Sequence, residues 1–211
     1  MKEPKPKTCK QCKNKFVPTR PLQSVCSMEC AVSLSGNKVR VELKKKARDD
    51  KKKAIEKLTN WGQRLVVKIQ EIARLIDNGQ PCLARGVMAK QFHGGHVYSK
   101  GSNPQMKYNL HNIHRQSAQS NHFGNDDGAL REGLAKEYGA DYMEFVASLR
   151  AMQSHKIKND ECLEFYKKAC KVSARLKKDL KPFSKSQRLL MRNDINMEIG
   201  IYPEQYSIFT L

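Results

Sequence analysis

The pair of motifs Cys9-x2-Cys12 and Cys26-x3-Cys30 sets the tightest limit on how this chain can fold. The first 37 residues hold few apolar side chains and many turn formers, and no helical or strand period runs through them. A piece that small cannot bury enough surface to fold unaided. Two close cysteine pairs, thirteen residues apart, can instead set four thiolates around one tetrahedral zinc ion. Lys10, Lys13 and Lys15 stand beside them and favour the thiolate forms. Four thiolates leave no open coordination position, so residues 1–37 are expected to be a zinc knuckle with one structural Zn²⁺ per chain.

Charge narrows the partner. Lys and Arg number 40 against 21 Asp and Glu, a net +19, and +11 of it falls within residues 1–58. Such an excess points to a polyanion, nucleic acid before an anionic membrane surface. Residues 38–58 have helix-forming composition and read as a basic helix or linker. On its own such a run is a solvated face; next to a DNA-binding knuckle it would touch phosphates. Lys44, Lys45, Lys46, Lys51, Lys52 and Lys53 are its candidate DNA contacts. No apolar run approaches the roughly 18 residues that span a bilayer. The basic N-terminus has no apolar stretch behind it, as a secretory signal would. The expected location is a reducing one, the cytoplasm, where the seven cysteines are thiols or metal ligands.

From Asn60 the period becomes helical. Trp61, Leu65, Ile69, Ile72 and Ile76 make one apolar stripe, with Asn60 as the cap and Asn78-Gly79 as the stop. Further helices are expected at 126–138, 141–152, 160–180 and 185–194. Asn159 or Asp160 opens the third, and Ser184 with Gln187 forms a capping box for the fourth. Cys162 and Cys170 read as small core residues, and the tail IYPEQYSIF as an apolar segment that docks.

Residues 82–125 differ: short apolar pieces, many Gly, Asn and Ser, and five of the six histidines, His93, His96, His111, His114 and His122. The plain alternative is a polar loop with incidental histidines. The chemical alternative is a one-metal nuclease. Phosphodiester hydrolysis needs a base to take a proton from water and a cation to stabilise charge on the phosphorane. A neutral imidazole suits the first role near pH 7. A hairpin followed by a helix can bring residues 93–96 and 112–121 around one phosphate.

The order His…Asn…Asn, in the block GGHVYSKGSNPQMKYNLHNIH running on through Ser117 and Ser120 to Asn121, resembles the His-Asn-His (ββα-metal) endonucleases. It is most similar to the phage NinG/Rap recombination proteins, a family that nicks branched DNA. The likeness spans residues 9–140: a four-Cys element, a Lys/Arg-rich helix, the nuclease motif, then helices. Residues 141–211 fall outside it. The resemblance makes His96 the general base and Asn112 the residue that shapes the loop and orients it. It makes His93 a metal ligand where relatives often carry Asp, Asn121 the residue completing the metal site, and His114 a second ligand or phosphate contact. Lys100, Lys107 and Arg115 would grip flanking phosphates, and the catalytic ion would be Mg²⁺ or Mn²⁺. A histidine at position 93 shifts preference from Mg²⁺ toward softer ions such as Mn²⁺, Ni²⁺ or Zn²⁺.

One departure stands out. Relatives carry a second four-Cys zinc site in the nuclease core; here two of its positions are Ser117 and Ser120, and upstream only Cys82 remains, followed by Arg85. A serine hydroxyl is a poor zinc ligand. The core is therefore expected to be held by packing of Phe92, Val97, Tyr98, Tyr108 and Ile113. The expectation is a mainly α chain: a zinc knuckle (1–37), a basic helix or linker (38–58), a helix plus a small ββα-metal nuclease core (59–140) and a C-terminal helical region (141–211). Its expected activity is metal-dependent cleavage of branched DNA, as a monomer or homodimer and without a membrane. The alternatives are a non-catalytic zinc-containing DNA-binding protein and an RNA-binding zinc protein.

Overall fold

The computed structural model describes residues 5–123, 127–154 and 156–210; Asn125, at the end of the histidine-rich stretch, and His155 lie outside them. The chain is mainly helical with two small sheets and divides into two compact units, Met1–Thr59 and Asn60–Leu211.

In the first unit β1 (Lys7–Thr8) and β2 (Lys15–Phe16) pair antiparallel, Lys7 opposite Phe16. The turn between them folds back at Lys13, whose φ of 67° is left-handed, and its N–H donates to the Cys9 carbonyl at 3.0 Å. Helix α1 (Met28–Leu58) is 31 residues long and starts inside the segment read as the knuckle. Ser27 caps it, its hydroxyl accepting from Cys30 N–H at 3.2 Å. Cap and first-turn Glu29 favour a start there. Gly36 costs the helix about 1 kcal/mol, too little to stop it. The compositional break at residue 38 is thus a change of surface along one helix.

The second unit begins with α2 (Trp61–Ile76), capped by Asn60, whose side chain accepts from Gln63 N–H at 3.0 Å. All five stripe residues are buried, joined by Val66 and Ala73. After it come β3 (Phe92–His96), β4 (Ile113–Ser117), α3 (Ala118–Phe123), α4 (Asp127–Tyr138), α5 (Ala140–Ser148), α6 (Asn159–Lys178), α7 (Lys185–Ile199) and the short α8 (Glu204–Ser207). Helix α6 packs along α2 through buried Cys162, Ala169, Val172 and Leu176. A buried Val172 or Leu176 contributes about 1.5–3 kcal/mol, and the smaller Cys162 and Ala169 less, which together hold α2 in place. A second apolar cluster, Val97, Met106, Leu130, Leu134, Tyr142 and Val146, lies around α4 and α5. The tail docks on it, with the Phe209 ring 5.0 Å from Tyr142.

Strands β3 and β4 are antiparallel, with Phe92 opposite Ser117 and His96 opposite Ile113. Residues 97–112 connect them through two 3-10 turns, Pro104–Met106 and Leu110–Asn112. Strand β3 lies so close to α2 that a Cβ at Gly94 would stand 2.7 Å from the Gln70 carbonyl oxygen. Gln70 uses that approach, its Nε2 donating to the Gly94 carbonyl at 2.9 Å.

Helix α7 is longer than its apolar period implies. Ser184 and Gln187 form the expected capping box, and Gly200, at φ 75°, ends the helix in a left-handed turn. Its buried face carries Arg188, Arg192, Asn193 and Asn196 among Leu189, Ile195 and Ile199.

Candidate functional site

The Sγ atoms of Cys9, Cys12, Cys26 and Cys30 all lie within 4.8 Å of one another. Cys26 Sγ stands 3.5 Å from Cys12 Sγ and 3.6 Å from Cys30 Sγ. Four Zn–S bonds of about 2.3 Å make a tetrahedron with edges near 3.8 Å. The cluster therefore has the size for one ion and is too wide for a disulfide, in which the sulfurs are about 2.05 Å apart. Burial raises the Cys9 thiol, but the N–H groups of Cys12, Cys26 and Gln11 outweigh it and bring it to about 6. Hydrogen bonds with Cys12 and Cys30 push Cys26 up to about 12. Such crowding of thiols is relieved by a divalent cation at their centre. Among the described residues this is the one group of three or more His, Cys, Asp or Glu side chains close enough to share an ion.

In the second unit Asn112 is fully buried and grips the β3–β4 connection from within. Its Oδ1 accepts from Tyr98 N–H at 2.8 Å, and its Nδ2 donates to the Tyr98 carbonyl at 3.0 Å and the Met106 carbonyl at 3.4 Å. These bonds fix the turn that leads into Lys107, whose carbonyl lies 3.0 Å from His96 Nε2. A carbonyl only accepts, so Nε2 carries the proton and Nδ1 keeps the lone pair. Burial lowers the His96 pKa; the Lys107 carbonyl pulls it back up, and the Lys100 charge lowers it again. The net shift is downward, so the ring is neutral near pH 7, the form a base requires.

His93 on β3 meets Asn121 on α3, Asn121 Nδ2 lying 3.3 Å from His93 Nδ1. Gln91 Nε2 lies 3.4 Å from His93 Nε2. The strand and the helix after β4 thus bring two of the three candidate metal ligands together. Lys100 is exposed and Lys107 half-buried, its Nζ 4.8 Å above the Tyr108 ring. Lys44, Lys45, Lys46, Lys51, Lys52 and Lys53 are all exposed along α1.

His114, expected as a second ligand or phosphate contact, does not join His93 and Asn121; the structure places it in the core. Its side chain is 1% exposed; Nε2 donates to the His111 carbonyl at 3.0 Å, and Nδ1 accepts from Arg192 Nη2 at 3.0 Å. Burial, then the Arg192 charge, holds its pKa well below the ordinary value. With both nitrogens engaged, this neutral ring is a strut of the core. Arg115 is likewise committed to the fold. Its Nη1 donates to the Asp77 carbonyl at 3.1 Å and its guanidinium lies 3.5 Å above the Phe92 ring.

The letters assign no role to the residues that hold this region. Asn109 Oδ1 accepts from His111 N–H at 2.9 Å and from Asn196 Nδ2 at 3.1 Å, while its Nδ2 donates to the Tyr206 carbonyl at 2.7 Å. Asn196 Oδ1 accepts from Leu110 N–H at 3.1 Å, and Arg192 Nε donates to the Leu110 carbonyl at 3.2 Å. The connection that carries Asn112 and Lys107 is thus buttressed by α7 and the C-terminal tail. The available signal was the i, i+4 recurrence Arg188, Arg192, Asn196 among apolar residues.

Comparison with known proteins gives a match to the family model of the Bacteriophage Lambda NinG protein over residues 1–179. The chain belongs to the NinG family. No curated protein and no solved structure matches it. Membership in the NinG family implies a function related to phage recombination. The match runs past residue 140, where the likeness in letters stops, and takes in α5 and α6.

Within this NinG chain Cys82, Arg85, Ser117 and Ser120 meet. Cys82 Sγ accepts from Ser117 N–H at 3.2 Å, Ser117 Oγ from Ser120 N–H at 3.2 Å, and Ser120 Oγ from Gln116 Nε2 at 2.9 Å. Arg85 N–H donates to the Cys82 carbonyl at 3.2 Å. Burial raises the Cys82 thiol, but the Ser117 N–H and hydroxyl and the N–H groups of Arg85 and Ala84 bring it below its ordinary value. Hydrogen bonds tie these four positions to one another directly. Val97, Tyr108 and Ile113 are buried nearby in the core, with Phe92 and Tyr98 half-buried.

Proposed function

We propose that the chain is a metal-dependent DNA endonuclease of the His-Asn-His class, hydrolysing phosphodiester bonds in branched DNA (Holliday junctions, D-loops and forks) during phage recombination. The observation that carries this reading is the link from Asn112 through the connection to His96, which leaves a neutral imidazole with its Nδ1 lone pair available. In this reading Nδ1 takes a proton from water, whose oxygen bonds to phosphorus as the bond to the leaving ester oxygen breaks. His93 and Asn121 would hold Mg²⁺ or Mn²⁺, imidazole favouring the latter. The chemistry such an ion supplies is neutralisation of charge on the scissile phosphate. The exposed lysines of α1, within the +11 of residues 1–58, would hold duplex phosphates and carry no sequence information.

The test is a labelled four-way junction incubated with Mg²⁺ or Mn²⁺. Nicks near the branch that EDTA abolishes are the expected result; intact junction at every metal concentration overturns the reading.

A second reading, a zinc-containing DNA-binding protein without catalysis, draws on one observation. No cluster of three or more His, Cys, Asp or Glu side chains includes His93 among the described residues, and His114 is turned into the core. That protein would bind the junction and leave it intact.

A further inference from the structure

Lys107 faces two ways. Its carbonyl holds His96, and the same residue lines a cavity of about 560 Å³ with Tyr108, Ile157, Tyr202, Pro203 and Tyr206. An adjoining cavity of about 430 Å³ shares Pro104, Lys107, Tyr108 and Ile157 and adds Lys156 and Lys158. Among the described residues no Asp or Glu lines either one. The cavity beside Asp77, about 500 Å³, is different: Glu132 and Glu137 stand among its arginines, which suits no anion. Three of the aromatic and proline walls, Tyr202, Pro203 and Tyr206, come from beyond the stretch matched by the family model. The Tyr202 hydroxyl accepts from Tyr108 N–H at 3.1 Å, which fixes that wall against the connection.

Flat apolar faces beside lysines and without carboxylates match one chemistry well. A nucleobase needs a face to stack on, and its phosphates need cations. A base inside a duplex is paired and stacked and costs a few kcal/mol to extrude, whereas an unpaired base where a fork or D-loop opens is free to enter. We propose that these adjoining cavities receive an unpaired nucleotide of a branched DNA strand, its base against Tyr202 and Tyr206 and its phosphates near Lys107, Lys156 and Lys158. The proposal rests on the reading of the chain as a nuclease for branched DNA. It adds how such a nuclease recognises a branch: Lys107 belongs to both sites, so a captured base sets the neighbouring phosphate beside His96.

The experiment uses full-length zinc-loaded protein without added Mg²⁺ or Mn²⁺ and two forked DNAs, one with 2-aminopurine at the unpaired branch position and one abasic there. Binding should quench the 2-aminopurine, and the fork with the base should bind about tenfold more tightly than the abasic fork, the scale of one base–aromatic stack. Tyr206→Ala should remove that difference. Lys156→Gln with Lys158→Gln should weaken both forks alike. Because the base-to-abasic comparison is made on the wild-type protein, it does not depend on how well a variant folds. Equal affinity for both forks with unchanged 2-aminopurine fluorescence would overturn the proposal. Adding Mn²⁺ separates it from the nuclease reading: discrimination without nicking keeps the cavity and sinks the nuclease, and nicking without discrimination does the reverse.

Discussion

Arg192 and Asp77, 115 residues apart in the chain, form a buried ion pair in which Arg192 Nη2 donates to both carboxylate oxygens, at 2.9 and 2.8 Å. Asp77 Oδ2 also accepts from Arg115 N–H on β4 at 3.0 Å, and Arg192 reaches Leu110 and His114. Burial opposes the Arg192 charge, but Asp77 more than compensates and the guanidinium stays ionised. One pair thereby joins the end of α2, strand β4, the connection carrying Asn112, and α7.

Removing one partner leaves the other charge buried, which typically costs about 3–5 kcal/mol. Arg192→Met should destabilise the second unit by that amount. Adding Asp77→Asn should then cost less than the sum of the two single changes. Denaturant unfolding followed by Trp61, the chain's single tryptophan and a buried one, measures both. Additive losses would mean that the pair is not coupled.

Acid should loosen the same unit earlier than carboxylates alone allow. Burial depresses His111 to about 3 and holds His114 well below its ordinary value, and both sit neutral in the fold. An unfolded histidine takes up a proton near pH 6.5. Between there and the folded value the unfolded chain binds more protons, so stability present above about pH 6.5 is lost as pH falls, by about 1.4 kcal/mol per unit for each histidine. Glu71, held near 2 by Lys177 and Lys68 against burial, joins only below the unfolded carboxylate value of about 4.3. Trp61-monitored unfolding at pH 7.5, 6 and 5 should show a falling midpoint; a flat profile contradicts the burial of neutral imidazoles.

What the sequence disclosed follows from which residues obey a period. The α2 stripe, the Asn60 cap, the Ser184–Gln187 box and the four-Cys cluster are local patterns, and each stands where it was expected. The start of α1 was displaced because a charge run marks a surface, while Ser27 marks a helix start. Helix α7 runs on past residue 194 because Asn196, a break in the apolar period, is buried and satisfied by the connection. His114 shows the limit of a motif read by its letters. A histidine in a motif has the same letter whether it faces a site or Arg192, and only the partner 78 residues away decides.

The metal content should be one tightly held zinc per chain. The four thiols of the first unit are sized for it, whereas Cys82 stands with Ser117 and Ser120. Cys26→Ser should release the ion and loosen residues 1–37 while the Trp61-monitored transition stays unchanged. Elemental analysis giving two zincs, or a lowered Trp61 transition, would contradict this.

Binding to a four-way junction should fall steeply with salt. If the basic first unit neutralises about five phosphates, the log–log slope is near −4 to −5. Deleting residues 1–58 should flatten it and reduce the preference for junction over linear duplex. A titration series by fluorescence anisotropy checks this; an unchanged slope would place the phosphate contacts elsewhere.

The most direct test is His96→Ala assayed for nicking of a four-way junction in Mn²⁺, beside its affinity for the same junction with zinc-loaded protein and no added Mg²⁺ or Mn²⁺. His96 is placed to move a proton, and its Nε2 donates to the Lys107 carbonyl. Nicking should therefore drop by about 10²–10⁴-fold, the usual worth of a general base, while affinity stays within about twofold. Cleavage at near wild-type rate would contradict the assignment of His96 as the base.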